Sequence, residues 1–167
     1  VAPGSKVVLN MHSALTESSP QPDQTAVRFR VDDQARPMET LILVNPFWLV
    51  DEAMRIPAGQ KDVIHEFQYD PGLFTGNKPV DLYGFTPHMH YLGQSIRAGI
   101  IRDGEPECLI EIPTWDFGWE QPYWFAEPVR LEPGDEIYIE CAFDNTRANQ
   151  PIVHGERPEP RDVAWGS

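Results

Sequence analysis

The sequence has few basic residues, few cysteines and no long apolar run. Its 167 residues include 26 Asp and Glu against 13 Lys and Arg, so the formal net charge is −13. A surface this acidic repels phosphate backbones, which argues against a nucleic-acid partner and against binding to anionic lipid. No apolar stretch approaches the roughly 20 residues of a membrane-spanning helix, so we expect no membrane span.

The sequence also lacks any segment of about 12 residues with the apolar period of an α-helix. Instead, 17 prolines and 12 glycines separate short apolar or alternating segments. These segments predict strands at residues 6–14, 26–31, 40–44, 62–69, 80–86, 95–102, 108–112 and 135–143. Short strands between Gly and Pro turns are typical of an all-β protein, an antiparallel sandwich or barrel.

Only two cysteines are present, Cys108 and Cys141, and both lie in predicted strands. One interpretation is two buried free thiols, because cysteine packs as a small apolar residue. The other is a single disulfide formed in an oxidising compartment. Two cysteines do not decide between these interpretations.

Residues 80–90, VDLYGFTPHMH, predict a strand that ends in a pair of histidines. Successive side chains of a strand point to opposite faces, so His88 and His90 share one face with Cβ atoms roughly 6.5–7 Å apart. Met89 then points the other way, and Gly93 permits a turn just after the pair. Two imidazoles at this spacing can converge on Cu, Zn, Ni or Fe. The alternative is a hydrogen-bonded pair that binds no metal.

The rest of the sequence offers no obvious third ligand. Cupins also carry two histidines in this spacing, but they follow the pair with an acidic residue, and residues 91–94, YLGQ, contain none. On spacing alone His12 and His65 are structural residues of their strands. His154, in a predicted loop, is a candidate third ligand.

Residues 86–93, TPHMHYLG, resemble the HxHxLG motif of the copper type II ascorbate-dependent monooxygenases. That family includes peptidylglycine α-hydroxylating monooxygenase and dopamine β-monooxygenase. The resemblance continues at residues 4–12 (GSKVVLNMH), 56–60 (IPAGQ), 133–135 (PGD) and 141–146 (CAFDNT), while residues 115–125 are similar to the version in bacterial members. It therefore covers nearly the whole chain.

The resemblance implies an antiparallel jelly-roll β-sandwich that belongs to a two-domain copper enzyme. Residues 1–15 would be the last strand of an upstream β-domain, residues 16–24 a linker, and residues 25–167 the copper-binding jelly roll. Such an enzyme hydroxylates a C–H bond of a small-molecule substrate with O₂ and electrons from ascorbate.

The resemblance also implies roles for three histidines. His88 and His90, with a methionine, would hold the copper that binds O₂. His12 would be one of three histidine ligands of a second copper, which relays electrons from ascorbate. The peptide-hydroxylating members carry an arginine where this sequence has Thr86, so a C-terminal glycine peptide is not the expected substrate.

The chain begins without Met and ends at Ser167, which predicts a fragment truncated at both ends. By the resemblance, the methionine ligand and the cysteine partner of Cys141 lie past Ser167, and the upstream β-domain is missing. Cys141 is then free or pairs with Cys108, and the fragment alone is expected to be inactive. We also expect self-association through the unpaired strand at residues 6–14.

Whichever function applies, we expect a secreted, periplasmic or cell-surface protein. Two other functions remain open. The first is a non-catalytic β-sandwich module that binds protein or carbohydrate through the aromatic residues of segment 115–125, WDFGWEQPYWF. For that segment, however, filling of the core and its corners is the favoured interpretation. The second is a family member that has lost its copper.

Overall fold

The computed structural model describes residues 4–9, 22, 24–31, 33–34, 38–50 and 53–164. The chain divides into two compact units, Val1–Thr40 and Leu41–Ser167. The predicted boundaries after residues 15 and 24 lie in or beside residues outside these ranges, and they stay predictions. None of the helices in the described part of the chain has the length and apolarity that a membrane crossing needs.

The larger unit is built from short strands joined by turns, as the Gly and Pro pattern predicts. Its strands are β1 (Val63–Tyr69), β2 (Val80–Phe85), β3 (Gly93–Arg102), β4 (Glu105–Ile112), β5 (Tyr123–Leu131) and β6 (Glu136–Phe143). The helical elements are one turn of α-helix, α1 (Gly72–Thr75), and the 3-10 turns Pro46–Leu49, Phe117–Trp119 and Arg147–Asn149.

The strands form two antiparallel sheets. The larger sheet has the order β1-β6-β3-β4, and the smaller one pairs β2 with β5. Apolar side chains of both sheets meet in one cluster, which contains Ile100 and Ile137 of the larger sheet and Leu82, Val129 and Leu131 of the smaller one. The fold is thus an all-β sandwich, which confirms the predicted fold class. The jelly-roll order of strands stays a prediction.

A second cluster covers the other half of the same face of the larger sheet. On β6, Ile137 lies in the first cluster, whereas Ile139, Cys141 and Phe143 lie in the second. Because residues two apart share a face of a strand, one side of β6 serves both clusters. The second cluster is closed by loop residues, namely Trp48, Met54, Ile56, Met89, Leu92, Trp115 and Val163.

Two predicted strands are wrong. Residues 26–31 alternate in the sequence, yet they form no strand, and Val27, Phe29 and Val31 are all exposed. Alternation favours a strand only where a neighbour pairs with it and buries one face, and no described residue does either here. Residues 40–44 also form no strand, although Leu43 and Val44 pack against the core. Of the predicted strand at 6–14, residues 6–9 are not strand, and residues 10–14 lie outside the described residues.

The disulfide between Cys108 and Cys141 is not formed, and both thiols are free. Cys141 lies on β6 opposite Ile96 of β3, whereas Cys108 lies on β4 opposite Gly99 of β3. The two cysteines are therefore two strand spacings apart, about 9.6 Å, with a further offset along β3. A disulfide needs Cα atoms within about 7 Å, so this register excludes it.

A buried amide joins three loops at one end of the larger unit. Asn145, 1% exposed, donates from Nδ2 to the carbonyls of Ile56 and Arg161, both at 2.9 Å. Its Oδ1 accepts a hydrogen bond of 2.8 Å from Gln150 Nε2. Its backbone N–H donates to the Gln60 carbonyl at 2.7 Å, so one residue holds the segments around 56–60, 145–150 and 161 together.

Replacing this amide should destabilise the fold markedly. We expect Asn145→Leu to lower the free energy of unfolding by about 2–4 kcal/mol, because each buried group left without a partner costs about 1–3 kcal/mol. Chemical denaturation followed by tryptophan fluorescence measures the change. The matched control is Asn149→Ala, which removes one half-buried hydrogen bond to the Asp144 carbonyl. Equal losses in the two variants would contradict the central role of Asn145.

The two thiols should differ sharply in reactivity. Burial, with a smaller contribution from the charge of Glu140, raises the pKa of the Cys141 thiol to about 12, whereas Cys108 is exposed. Since the thiolate is the nucleophile, a disulfide reagent such as DTNB should modify one thiol in the folded protein and the second only after unfolding. Cys108→Ser should abolish the labelling of the folded state, and Cys141→Ala should preserve it. Two equivalents released from the folded protein would contradict this arrangement.

Candidate metal centre

The histidine pair lies in an extended segment directly after β2. β2 ends at Phe85, so residues 86–90 continue its direction without strand pairing. Burial nevertheless alternates as on a strand, with Pro87 and Met89 buried and His88 and His90 exposed. The predicted placement of the two imidazoles on one side, with Met89 on the other, is therefore confirmed.

The two imidazole rings lie close together and face solvent. Their centroids are 5.1 Å apart, with an angle of 90° between the ring planes. The side chain of His88 is 61% exposed, so its ring is accessible to an ion from solution. Two imidazoles this close can serve one metal ion as ligands.

Packing beneath the pair fixes the backbone that carries it. Met89 is 4% exposed and belongs to the core cluster that also contains Trp115. A Cβ at Gly93 would lie 2.8 Å from Trp115 Cδ1 and 3.0 Å from Met89 Cβ, so only glycine fits there. The Gly93 N–H donates to the His90 carbonyl at 3.0 Å, which closes the predicted turn after the pair.

The register of the smaller sheet brings a carboxylate to His88. Phe85 of β2 pairs with Tyr123 of β5, and Gly84 pairs with Trp124. His88 lies three residues after Phe85, and Glu120 lies three residues before Tyr123. His88 and Glu120 therefore stand opposite each other. Glu120 Oε1 is hydrogen-bonded to His88 Nδ1.

The same loop also reaches His90. The 3-10 turn Phe117–Trp119 places the Phe117 ring edge-on to the His90 ring, with centroids 6.0 Å apart and an angle of 81°. Phe117 also packs against Tyr91 at 4.5 Å between centroids. Residues 117–120 thus form one wall of the site.

Sequence reasoning missed this wall. His88 and Glu120 are 32 positions apart, and no local pattern connects them. The only signal would have been the pairing register of β2 and β5, which the sequence does not reveal.

Among the described histidines, His65 and His154 do not join the pair. His65 Nε2 is within hydrogen-bond distance of the Arg55 carbonyl, at 3.0 Å, and its ring packs against Trp48 and Phe143, which confirms a structural role. His154 lies in a tight turn with φ 53°, and the described His, Cys, Asp and Glu residues contain no group of three in position to hold a metal ion. Histidine 154 is therefore not brought to the pair as a third ligand, and His12 lies outside the described residues.

The aromatic residues of segment 115–125 divide between core and surface. Trp115 is 9% exposed, as expected of a core residue. Trp119 and Trp124 are 66% and 64% exposed, so the prediction that this segment fills the core and its corners is wrong for both.

The donor set is compatible with copper. Imidazole nitrogens are good ligands for copper, and histidine ligands usually hydrogen-bond their second ring nitrogen to a carboxylate or carbonyl. His88 has such a partner in Glu120. The residues present therefore fit a copper ion held in part by the pair.

Comparison with known proteins assigns the family. No curated protein matches the chain. The family model described as copper type II ascorbate-dependent monooxygenase, C-terminal domain, matches residues 47–159, which is more than half of the chain and includes β1 to β6 and the histidine pair. Copper and ascorbate are the cofactor and the reductant of this family. The chain therefore belongs to the copper type II ascorbate-dependent monooxygenases, as a C-terminal domain of that family.

Proposed function

We propose that His88 and His90 hold the oxygen-activating copper, and that this domain is part of an enzyme that hydroxylates a C–H bond with O₂ and electrons from ascorbate. The observation that carries the proposal is the position of the two exposed imidazoles on one side of a segment that the buried Met89 anchors. Their ring centroids are 5.1 Å apart. This pair lies within the residues that match the copper-dependent family.

In this proposal each group has a separate task. His88 and His90 bind the copper ion, which when bound supplies the redox chemistry of oxygen activation. Met89 and Gly93 hold the backbone of the pair against the core, so the two rings are placed before any metal arrives. Phe117 shields one side of His90, which leaves the opposite side for substrate.

The environment of the pair also bears on the substrate. Thr86, beside His88, is exposed and carries no charge. A substrate carboxylate would find no cationic partner at that residue. We therefore propose a small molecule that is not anchored there by a carboxylate. In the same proposal, His12 is a ligand of a second, electron-relaying copper.

Removing both imidazoles should weaken copper binding by the chain. Competition titrations with a chromogenic chelator, for Cu(I) and for Cu(II), measure the affinity. We expect His88→Ala with His90→Ala to weaken binding by more than tenfold, because two of the nitrogen ligands are lost. Near-UV circular dichroism checks that the fold is retained.

The matched control is His154→Asn. It removes an exposed imidazole elsewhere, and asparagine tolerates the positive φ of 53° at that turn. We expect copper binding by this variant to equal that of the parent chain. An unchanged affinity in the double variant, or no copper binding by the parent chain, would refute the assignment of the site.

Exposure of Trp119 and Trp124 supports a second candidate, a binding surface for carbohydrate or protein. Exposed aromatic rings offer large apolar faces to a ligand. A glycan array should then show saturable binding that Trp119→Ala weakens at least tenfold, whereas Phe74→Ala, a change at another exposed ring, should not. Absence of binding to glycans would remove the carbohydrate form of this candidate.

A further inference from the structure

We propose that Glu120 is a positioning residue that fixes the ring orientation and the tautomer of His88, so that Nε2 is the atom offered to the metal. This inference rests on the proposed function of the histidine pair. The juxtaposition that carries it is the hydrogen bond between Glu120 Oε1 and His88 Nδ1.

The chemistry of the two groups sets the tautomer. An ionised carboxylate only accepts hydrogen bonds, so Nδ1 of His88 must carry the hydrogen. In the neutral imidazole the lone pair then belongs to Nε2. A metal can bind only the nitrogen that carries a free lone pair, so Glu120 selects Nε2 as the donor atom.

The pairing of β2 with β5 sets the position of Glu120, rather than the free rotation of a surface side chain. The pairing of Phe85 with Tyr123 and of Gly84 with Trp124 places Glu120 opposite His88. A Cβ at Gly84 would lie 2.2 Å from the Tyr123 carbonyl oxygen, so the close approach of β5 to the end of β2 requires glycine.

The turn that precedes Glu120 is itself held in place. Asp116 Oδ1 accepts a hydrogen bond of 2.8 Å from the Gly118 N–H, and the Trp119 N–H donates to the Asp116 carbonyl at 2.9 Å. The Glu120 side chain is only 29% exposed, against 61% for His88. The carboxylate is thus less exposed than the imidazole, and the preceding turn holds its backbone in place. The carboxylate therefore orients the imidazole.

The geometry argues against two other roles for Glu120. As a third metal ligand it would have to face the metal, yet its oxygen contacts Nδ1, the nitrogen that it leaves protonated. As an ordinary ion-pair residue it would be expected to meet a lysine or arginine, yet within residues 53–164 its hydrogen-bond partner is the imidazole of His88. Orienting the ring is the role that remains.

The experiment compares Glu120→Ala and Glu120→Gln with Glu105→Ala and Glu105→Gln. Glutamine keeps an oxygen that accepts from Nδ1–H but removes the charge. Glu105 is the first residue of β4 and lies beside the end of β3 that is farther from Gly93. The ten-residue length of β3 places it roughly 30 Å from the pair. The Glu105 variants therefore match the charge changes without touching the site.

The first measurement is the tautomer of His88 in the copper-free protein, from long-range ¹H–¹⁵N correlation spectra of the imidazoles. Spectra are recorded near pH 8, where free imidazole is neutral. We expect the Nδ1–H form in the parent chain and in Glu120→Gln. Glu120→Ala should shift His88 toward the Nε2–H form, which a histidine side chain without a partner favours, and the Glu105 variants should not.

The second measurement is copper affinity by the competition titration used for the histidine variants. Glu120→Ala should weaken binding by about 10–100-fold, the usual effect of removing a partner of a ligating histidine. Glu120→Gln should recover most of that loss. X-ray absorption of the copper-loaded protein should show imidazole coordination in every Glu120 variant, because the ligands themselves are retained.

An Nε2–H tautomer in the parent chain, or an affinity of Glu120→Ala equal to that of the parent, would overturn the role of Glu120. The tautomer result does not depend on whether His88 and His90 are ligands. The affinity result does, so it counts against Glu120 only when the double histidine variant has lost copper binding, which is tested separately. Conversely, a confirmed tautomer in a protein that binds no copper would refute the proposed function and leave the hydrogen bond as a structural one.

Discussion

Burial of Met89 is the constraint on which the arrangement of the site depends. In an extended segment, one side chain driven into the core turns its two neighbours outward. Met89 packs into the cluster of Trp48, Ile96 and Trp115, so His88 and His90 cannot rotate inward without exposing it. The apolar core thereby orients two polar rings that it does not touch. Gly93 completes the constraint, because any side chain there would push Met89 and Trp115 apart.

The end of β6 connects this constraint to the rest of the unit. The Asp144 N–H donates to the Leu92 carbonyl at 2.9 Å, which ties the turn after His90 to the residue next to Asn145. Asn145 in turn holds the segments around Ile56 and Arg161. The loops that close the second cluster are thus joined to the motif by a backbone hydrogen bond and by the side-chain amide of Asn145. A rigid base of this kind suits a site whose ligands must not shift when the metal changes charge.

The sequence predicted what local geometry controls. Alternation along residues 86–90 and the glycine at 93 gave the faces of His88, Met89 and His90 and the turn after them, because these depend only on neighbours in the chain. Glu120 could not be predicted in this way, since it meets His88 through the pairing register of β2 and β5. The same limit explains residues 26–31, where a strand-like pattern has no paired neighbour in the described part of the chain. It also explains the cysteines, whose separation depends on the strand order β4-β3-β6.

Openness of the histidine pair has a consequence for how this protein is handled. With the His88 side chain 61% exposed, the proposed site is open to other divalent ions in solution as well as to copper. Affinity at such a site follows the general order that rises from Mn²⁺ through Ni²⁺ to Cu²⁺ and falls again at Zn²⁺. The metal content of a purified sample then depends on the resins and buffers used to prepare it. In the proposed copper site, selectivity for copper would come from the order in which ions reach the protein rather than from the two imidazoles themselves.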